Sequence, residues 1–383
     1  GTPEIPSEYR LQPRVNVTDL TNSYNFVLGA VGSLGLQNLR VGVAVSLPMT
    51  RLGKQVSRFR DEREQFVSNN LGFEFYGDRS QHQVILVGAA YRVLDWLSVG
   101  GGFSVMPAVD SVANVYLQDA TNQKDVRISV ANDQLGRTAP SLGIAARPLS
   151  WLKLGASYRL ANYMELKLKN AIQIRGFQGS SSFPIIQVAN MALGYSPTQL
   201  ALGASADVAD WTVAVDGVWS QWSRFIDTQG EDKSGFADVW SVRTGADYVV
   251  NPARTIRLGL QWEPTPVPDQ VGRSNFVDND RLVASAGASH KFEVFKQNIS
   301  LNWYVQLHHL LARDTNKKPA TSYQACAPGV TSLCDEIADT TVDPATGQPV
   351  SAYQGLQSGN PGFPGWASWG QLLSVGADLR MEF

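Results

Sequence analysis

The residues with the widest chemical range in this chain are four histidines and two cysteines: His82, His290, His308, His309, Cys326 and Cys334. A hydrolase would need a nucleophile with a base in reach. None of these histidines lies in a Gly-x-Ser-x-Gly or comparable setting, so no enzyme is expected. His308 and His309 are adjacent, and on a strand they would point to opposite faces. Cys326 and Cys334 lie in a segment rich in Pro, Gly, Thr and Asp. Such a pair suggests a disulfide closing a small loop in an oxidising compartment, with two free thiols as the alternative. Zinc is not expected, because no His is near them in sequence and a structural site needs about four ligands. No metal or other cofactor is implied.

The remaining candidates would bind rather than react. Between Asn170 and Leu193, where a loop is expected, stand Ile172, Ile174, Phe177, Phe183, Ile185, Ile186, Val188 and Met191. Apolar residues in a solvent-facing loop are costly unless they pack or capture an apolar ligand. The bland reading is that Gln187–Leu193 begins the next strand and the rest packs nearby. A second apolar group, Phe363, Trp366 and Trp369, suits either capture or an interfacial aromatic ring. A carboxylate-bearing ligand would need a basic partner, and Arg243, Arg257, Arg281 and Lys291 sit on or beside predicted strands.

The elements that must position these residues are strands. At the carboxy terminus Leu373, Val375, Ala377, Leu379, Met381 and Phe383 alternate with Ser374, Gly376, Asp378, Arg380 and Glu382. One face is apolar and the other polar. Ending on an aromatic residue, this reads as the closing strand of an outer-membrane barrel, apolar towards lipid and polar towards the lumen. Six predicted hairpins repeat the pattern: Tyr24–Gly32 with Leu39–Leu47, Val84–Tyr91 with Trp96–Val105, Ser141–Arg147 with Trp151–Leu160, Leu200–Ala206 with Trp211–Trp219, Trp240–Val249 with Thr255–Trp262, and Leu282–Lys291 with Asn298–Leu307. Trp96, Trp151 and Trp211 each follow a short turn at once. Equivalent placement suggests one interfacial girdle, the alternative being three ordinary core anchors. The longer connections, Thr50–Gln83, Asp110–Pro140, Phe225–Asp238, Pro264–Arg281 and Arg313–Gly370, are polar and belong on the extracellular side.

Six hairpins and a final strand make thirteen strands, whereas bacterial single-chain barrels have even numbers. The expected architecture is a transmembrane antiparallel β-barrel of about fourteen strands, with thirteen visible. Residues 1–22 are expected in an extracellular loop and 23–383 in the barrel, with 313–370 as its longest outer loop. An irregular first strand at Tyr9–Val17 is the rival. No signal peptide opens the sequence, so an exported chain would have lost one.

Composition fits. Charged residues are 17%, below the roughly 25% of soluble domains, with 34 Gly, 10 Trp, 12 Tyr and 15 Phe among 383 residues. Mean hydropathy is −0.15, and no apolar run approaches the ~18 residues of a transmembrane helix. A net charge of −2 with scattered basic residues gives no footprint for nucleic acid.

The segment Leu258–Phe292 carries Pro264, Pro266 and Pro268, then Asp278, Asp280 and Arg281 leading into the next strand. Leu200–Phe225 contains a Trp-bearing strand ending in Trp222, Ser223 and Phe225. Ala89–Val105 and Gly136–Leu160 add two more matches. In this order and spacing the chain resembles the FadL/TodX family of outer-membrane transporters for long-chain fatty acids and other hydrophobic compounds. The resemblance implies passive uptake of such a ligand across the bacterial outer membrane by a monomer embedded in lipid and lipopolysaccharide. The candidate ligand contacts are those read from residue type and place: Ile172, Ile174, Phe177, Phe183, Ile185, Ile186, Met191 and Arg281. Family members carry an amino-terminal plug with an Asn-Pro-Ala motif. Here those letters occur as Asn251-Pro252-Ala253, in a predicted short turn. A general diffusion porin and a structural or adhesive barrel are the alternatives.

Overall fold

The computed structural model of the protein describes residues 24–49, 74–75, 84–105, 109–117, 126–135, 138–174, 185–226, 235–269, 276–294, 297–316 and 365–382. In chain order the strands are β1 (Asn25–Gly32), β2 (Leu39–Pro48), β3 (Glu74–Phe75), β4 (Val84–Leu94), β5 (Leu97–Val105), β6 (Val109–Leu117), β7 (Val126–Leu135), β8 (Thr138–Leu149), β9 (Leu152–Arg159) and β10 (Asn162–Ile174). They continue as β11 (Ile185–Ser196), β12 (Thr198–Val208), β13 (Trp211–Gln221), β14 (Val239–Asn251), β15 (Arg254–Glu263), β16 (Phe276–Val277), β17 (Arg281–Val294), β18 (Gln297–Asn316) and β19 (Gly365–Glu382).

Thirteen strands form one antiparallel sheet in the order β1-β2-β4-β5-β8-β9-β12-β13-β14-β15-β17-β18-β19. These are the thirteen strands that alternation predicts, and the sheet is the wall of a transmembrane β-barrel. Apolar side chains cover its outer face: Leu373, Val375 and Leu379 on β19 are 66, 68 and 59% exposed. Such exposure is untenable in water over a whole sheet and is ordinary against lipid. Trp96, Trp151 and Trp211 are all outward and about half exposed, so they share one depth near the short turns. Trp211 packs on Tyr248 across the ladder, ring centroids 4.7 Å apart. Neighbouring hairpin ends are laced by backbone bonds, such as Arg147 N to Trp96 O and Asp207 N to Trp151 O.

The segments expected as long loops differ. β18 has 20 residues and β19 has 18, whereas about 9–11 suffice to cross a bilayer. Both therefore run well beyond the membrane, and β18 continues to Asn316. The expected loops at Asp110–Pro140 and Asn170–Leu193 are also largely extended. β6, β7, β10 and β11 form a separate four-stranded sheet in the order β11-β10-β7-β6. Alternation is the physical reason. Met164, Leu166, Leu168, Ile172 and Ile174 occupy every second position but one on β10, a pattern as regular as that of the barrel strands. Gln187–Leu193 is indeed strand, but it belongs to this sheet and ends before β12 begins. β3 and β16 make a short parallel pair.

A compact aromatic core sits at the end of the barrel bearing the long connections. Tyr195, Trp222, Phe225, Phe236, Val267 and Phe276 are buried together. Phe225 and Phe236 stack with centroids 4.5 Å apart, and Phe276 meets both edge-on at 5.3 and 5.2 Å. Offset and edge-to-face pairs each add about 0.5–1.5 kcal/mol beyond area burial. This core ties the connection after β13 to the one after β15 and gives the barrel mouth a fixed roof.

Candidate ligand-binding site

Beneath that roof lies a cavity of about 390 Å³. Its apolar part comes from Val84, Leu86, Tyr195, Trp222 and Pro266, and its polar part centres on Arg159 and Arg281. The two arginines differ in their surroundings. Arg281 has only 10% of its side chain exposed and lies 3.8 Å from both Glu263 and Asp278. Its charge is compensated twice over. Arg159, the last residue of β9, donates from Nη2 to Ser196 Oγ at 3.1 Å and Gln199 Oε1 at 2.9 Å. Gln199 Nε2 in turn donates to Ser220 Oγ at 3.0 Å. These acceptors are neutral, so the Arg159 guanidinium keeps a full positive charge towards the cavity.

The Pro-rich loop and the acidic run that follows it form a clasp. Thr265 N donates to Asp280 Oδ1 at 2.8 Å, and Thr265 Oγ1 to Asp278 Oδ2 at 2.9 Å. Pro264 and Pro266 line the cavity. Pro268 lies beyond it, near Gly235. Asn279 Nδ2 reaches the carbonyls of Leu311 and Ser368, both at 2.8 Å. The β18–β19 ladder shifts register between Leu310 and Arg313, and Leu311 N turns to Asp280 O. The clasp thus satisfies the backbone groups that this bulge releases. Arg313 completes it by donating to Val267 O at 2.8 Å and Asp278 O at 3.2 Å.

A second, longer cavity of about 680 Å³ adjoins the first; the two share Leu86, Ser104, Arg159 and Gln199. Its wall is built from small residues. Cross-strand register aligns Gly42, Gly88, Gly102 and Ser141 in one row that ends at Arg159. Ala90, Gly100, Gly143, Ser157 and Ala201 form the next row. Directly opposed residues face the same side of a sheet, so both rows line the lumen.

The other predicted residues scatter. Ile172 pairs with Ile185 and Leu166 with Met191, which puts Ile172, Ile174, Ile185 and Met191 on one face of the four-stranded sheet. Ile186 pairs with Ala171 and falls on the opposite face. Phe177, Phe183, Cys326, Cys334 and Phe363 lie outside the described residues. Arg243 stands opposite Asp216, and Arg257 pairs with Asp247 at 3.3 Å. His308 and His309 fall on opposite faces of β18. Asn251-Pro252-Ala253 is a turn closed by Ala253 N to Asn251 Oδ1 at 3.0 Å. Arg159, Asn279 and the small-residue rows were not singled out by sequence. Only register across several strands brings them together, although the glycine content of β4, β5 and β8 is a local hint.

The barrel is similar in fold to the crystal structure of a FadL homologue from Pseudomonas aeruginosa, with a TM-score of 0.53 and 15% identity, covering 93% of this chain and 77% of that one. Fold and lumen together define an outer-membrane β-barrel. The family model for outer membrane transport proteins of the OMPP1/FadL/TodX type matches residues 69–324, about two thirds of the chain. The chain belongs to that family. Among curated relatives, the long-chain fatty acid transport protein of Salmonella typhi is 29% identical over 91 residues, 21% of either chain. That of Escherichia coli K12 is 28% identical over 91 residues, 21% of this chain and 20% of the relative. The matched segment thus spans about a fifth of the curated relatives' length. Members of this family are outer-membrane proteins, and the protein resides in the bacterial outer membrane.

Proposed function

We infer that this protein carries long-chain fatty acids or other hydrophobic small molecules passively across the outer membrane. The observation that supports this best is the upper cavity, where aromatic and aliphatic side chains stand beside two guanidinium groups, and that of Arg159 has no carboxylate partner among the described residues. Burying an acyl chain there is favourable by roughly 0.8 kcal/mol per methylene. Arg159 supplies a charge-assisted hydrogen bond for an anionic head. The adjoining small-residue trough offers a smooth way onward, and the gradient of the ligand supplies the driving force.

Capture begins outside. The apolar face of the four-stranded sheet carries Ile172, Ile174, Ile185 and Met191 from β10 and β11, with Ile128 and Val130 from β7 in register. In this reading the barrel works as a monomer, in contact with lipid and lipopolysaccharide. The test is mass spectrometry of solvent extracts of the full chain, purified in a chemically distinct detergent. A stoichiometric apolar molecule displaced by added dodecanoate is expected. An empty protein that conducts ions in a planar bilayer would replace this reading with a porin.

A further inference from the structure

We propose that the lipid-facing side of β15 and β17 holds a phospholipid from the leaflet beside the short turns, by the phosphodiester of an anionic head. Such a lipid sits outside the wall, whatever crosses the lumen. At the paired positions of the thirteen wall strands, up to the bulge in β18, the outward side chains are almost all apolar. Among the described residues there, Arg254 is the one of fixed charge, and His290 and His309 are the histidines. Arg254 opens β15 on the face of Ile256 and Leu258, directly opposite His290. Opposed side chains share a face, with Cβ atoms about 4.5–5.5 Å apart. The two basic groups therefore meet at one point of the outer surface. His309 lies far from it near the bulge, between Leu282 and Gln371.

A cation beside hydrocarbon is costly unless it reaches water or an anion. The Arg254 guanidinium has no hydrogen bond or ion pair among the described residues. The His290 imidazole has none either, and it stacks on Phe292 with centroids 5.9 Å apart. The acids on nearby strands turn away. Asp247, Glu293, Asp378 and Glu382 take inward positions by alternation, as does Lys291. Asp210 stands in the turn before β13, where its carbonyl accepts from Val249 N at 2.9 Å.

The anion that the membrane itself offers at this depth is a lipid phosphate. A guanidinium fork matches phosphate oxygens, and imidazole donates an N–H in either tautomer. The surface above the pair suits the acyl chain of the same molecule. The outward residues of β17 shrink to Ala288 and Ala286, flanked by Ile256 and Leu258 on β15 and by Trp303 and Val305 on β18. A shallow furrow thus leads from the cations into the bilayer core. A zwitterionic head carries its own ammonium, which competes for the phosphate, so the pair favours an anionic head.

The test uses the full-length protein in a neutral maltoside detergent. Phosphatidylglycerol or phosphatidylcholine of equal chain length is added, and retained lipid is counted by native mass spectrometry. One phosphatidylglycerol per chain is expected, held about tenfold more tightly than phosphatidylcholine. Arg254→Gln should weaken it roughly tenfold, the loss of one charge-assisted hydrogen bond, and Arg254→Lys should restore part of the loss. Lys291→Gln, next to His290 but facing the lumen, should change nothing. Glycerol phosphate, a head without chains, should not be retained. Heat-modifiable migration verifies that each variant is folded. Equal retention of both lipids, or full retention of phosphatidylglycerol by folded Arg254→Gln, would overturn the site. An equal loss in Lys291→Gln would overturn it too, by making net charge the cause. Retention of glycerol phosphate would replace the lipid site with a simple anion site.

Discussion

The two walls of the lumen are built from the same element and face opposite tasks. From β2 to β12 the middle of each inward row is small, Gly42, Gly88 and Gly102 or Ala90, Gly100 and Gly143, with Arg159 ending the first row and Arg40 starting the second. From β14 to β19 the inward rows carry Asp247, Arg257, Asn302 and Asp378 joined in one hydrogen-bonded chain. The first wall offers volume between isolated cations, and the second a continuous polar chain. An uncharged apolar molecule has one wall to follow, and an amphiphile has two. Barrel architecture imposes neither arrangement, since across the bilayer core the outer faces of both walls are alike. The difference resides wholly in the inward half of each alternating pair.

Four substitutions would break or sharpen this contrast. The largest effect is expected from filling the small wall. At Gly143 an added Cβ meets nothing closer than 3.5 Å, so Gly143→Trp should fold while its ring obstructs the trough. Most dodecanoate uptake into cells should disappear, and unimpaired uptake by folded protein would show that the small wall is not the route. Next comes Asn279→Ala, which unpins the bulge at the outer end of the charged wall. It removes the amide donor from part-buried carbonyls at Leu311 and Ser368, at a cost of about 1–2 kcal/mol. Urea unfolding in micelles measures it, and an unchanged midpoint would mean that the clasp is ornamental. Arg159→Gln should weaken dodecanoate roughly tenfold while leaving dodecanol binding by calorimetry untouched. Equal losses for both ligands would assign Arg159 a packing role. The smallest effect is expected for Arg257→Met. Its pair with Asp247 is about 44% exposed on both sides, and such pairs contribute under about 1 kcal/mol. A loss several times larger would show that the polar chain carries the wall mechanically.

The thirteen wall strands were legible in the sequence because lipid on one side and water on the other enforce a strict two-residue period. Boundaries were less legible. β18 reads as a strand to Leu307, yet it continues to Asn316, because backbone pairing with β19 outlasts the lipid-facing pattern. The outer sheet was missed although β10 alternates as well as any wall strand. A segment placed between two hairpins invites the reading of a loop. The site was less legible still. Arg281 stands out by its place in a motif, but its neighbours Glu263 and Asp278 absorb its charge. Arg159 lies within the Gly136–Leu160 stretch, but nothing local to it marks it out. Its setting depends on Ser196 and Gln199, 37 and 40 residues away, and local pattern contains no record of such distances.

The Asn279 clasp also bears on how the barrel comes to be finished. Asn279 belongs to the connection between β15 and β17, and Ser368 to the last strand of the wall. Both must have crossed to the outer side before their bond can form. The contact therefore belongs to the closing moments of assembly, and its presence distinguishes a completed wall from one still being threaded into the membrane.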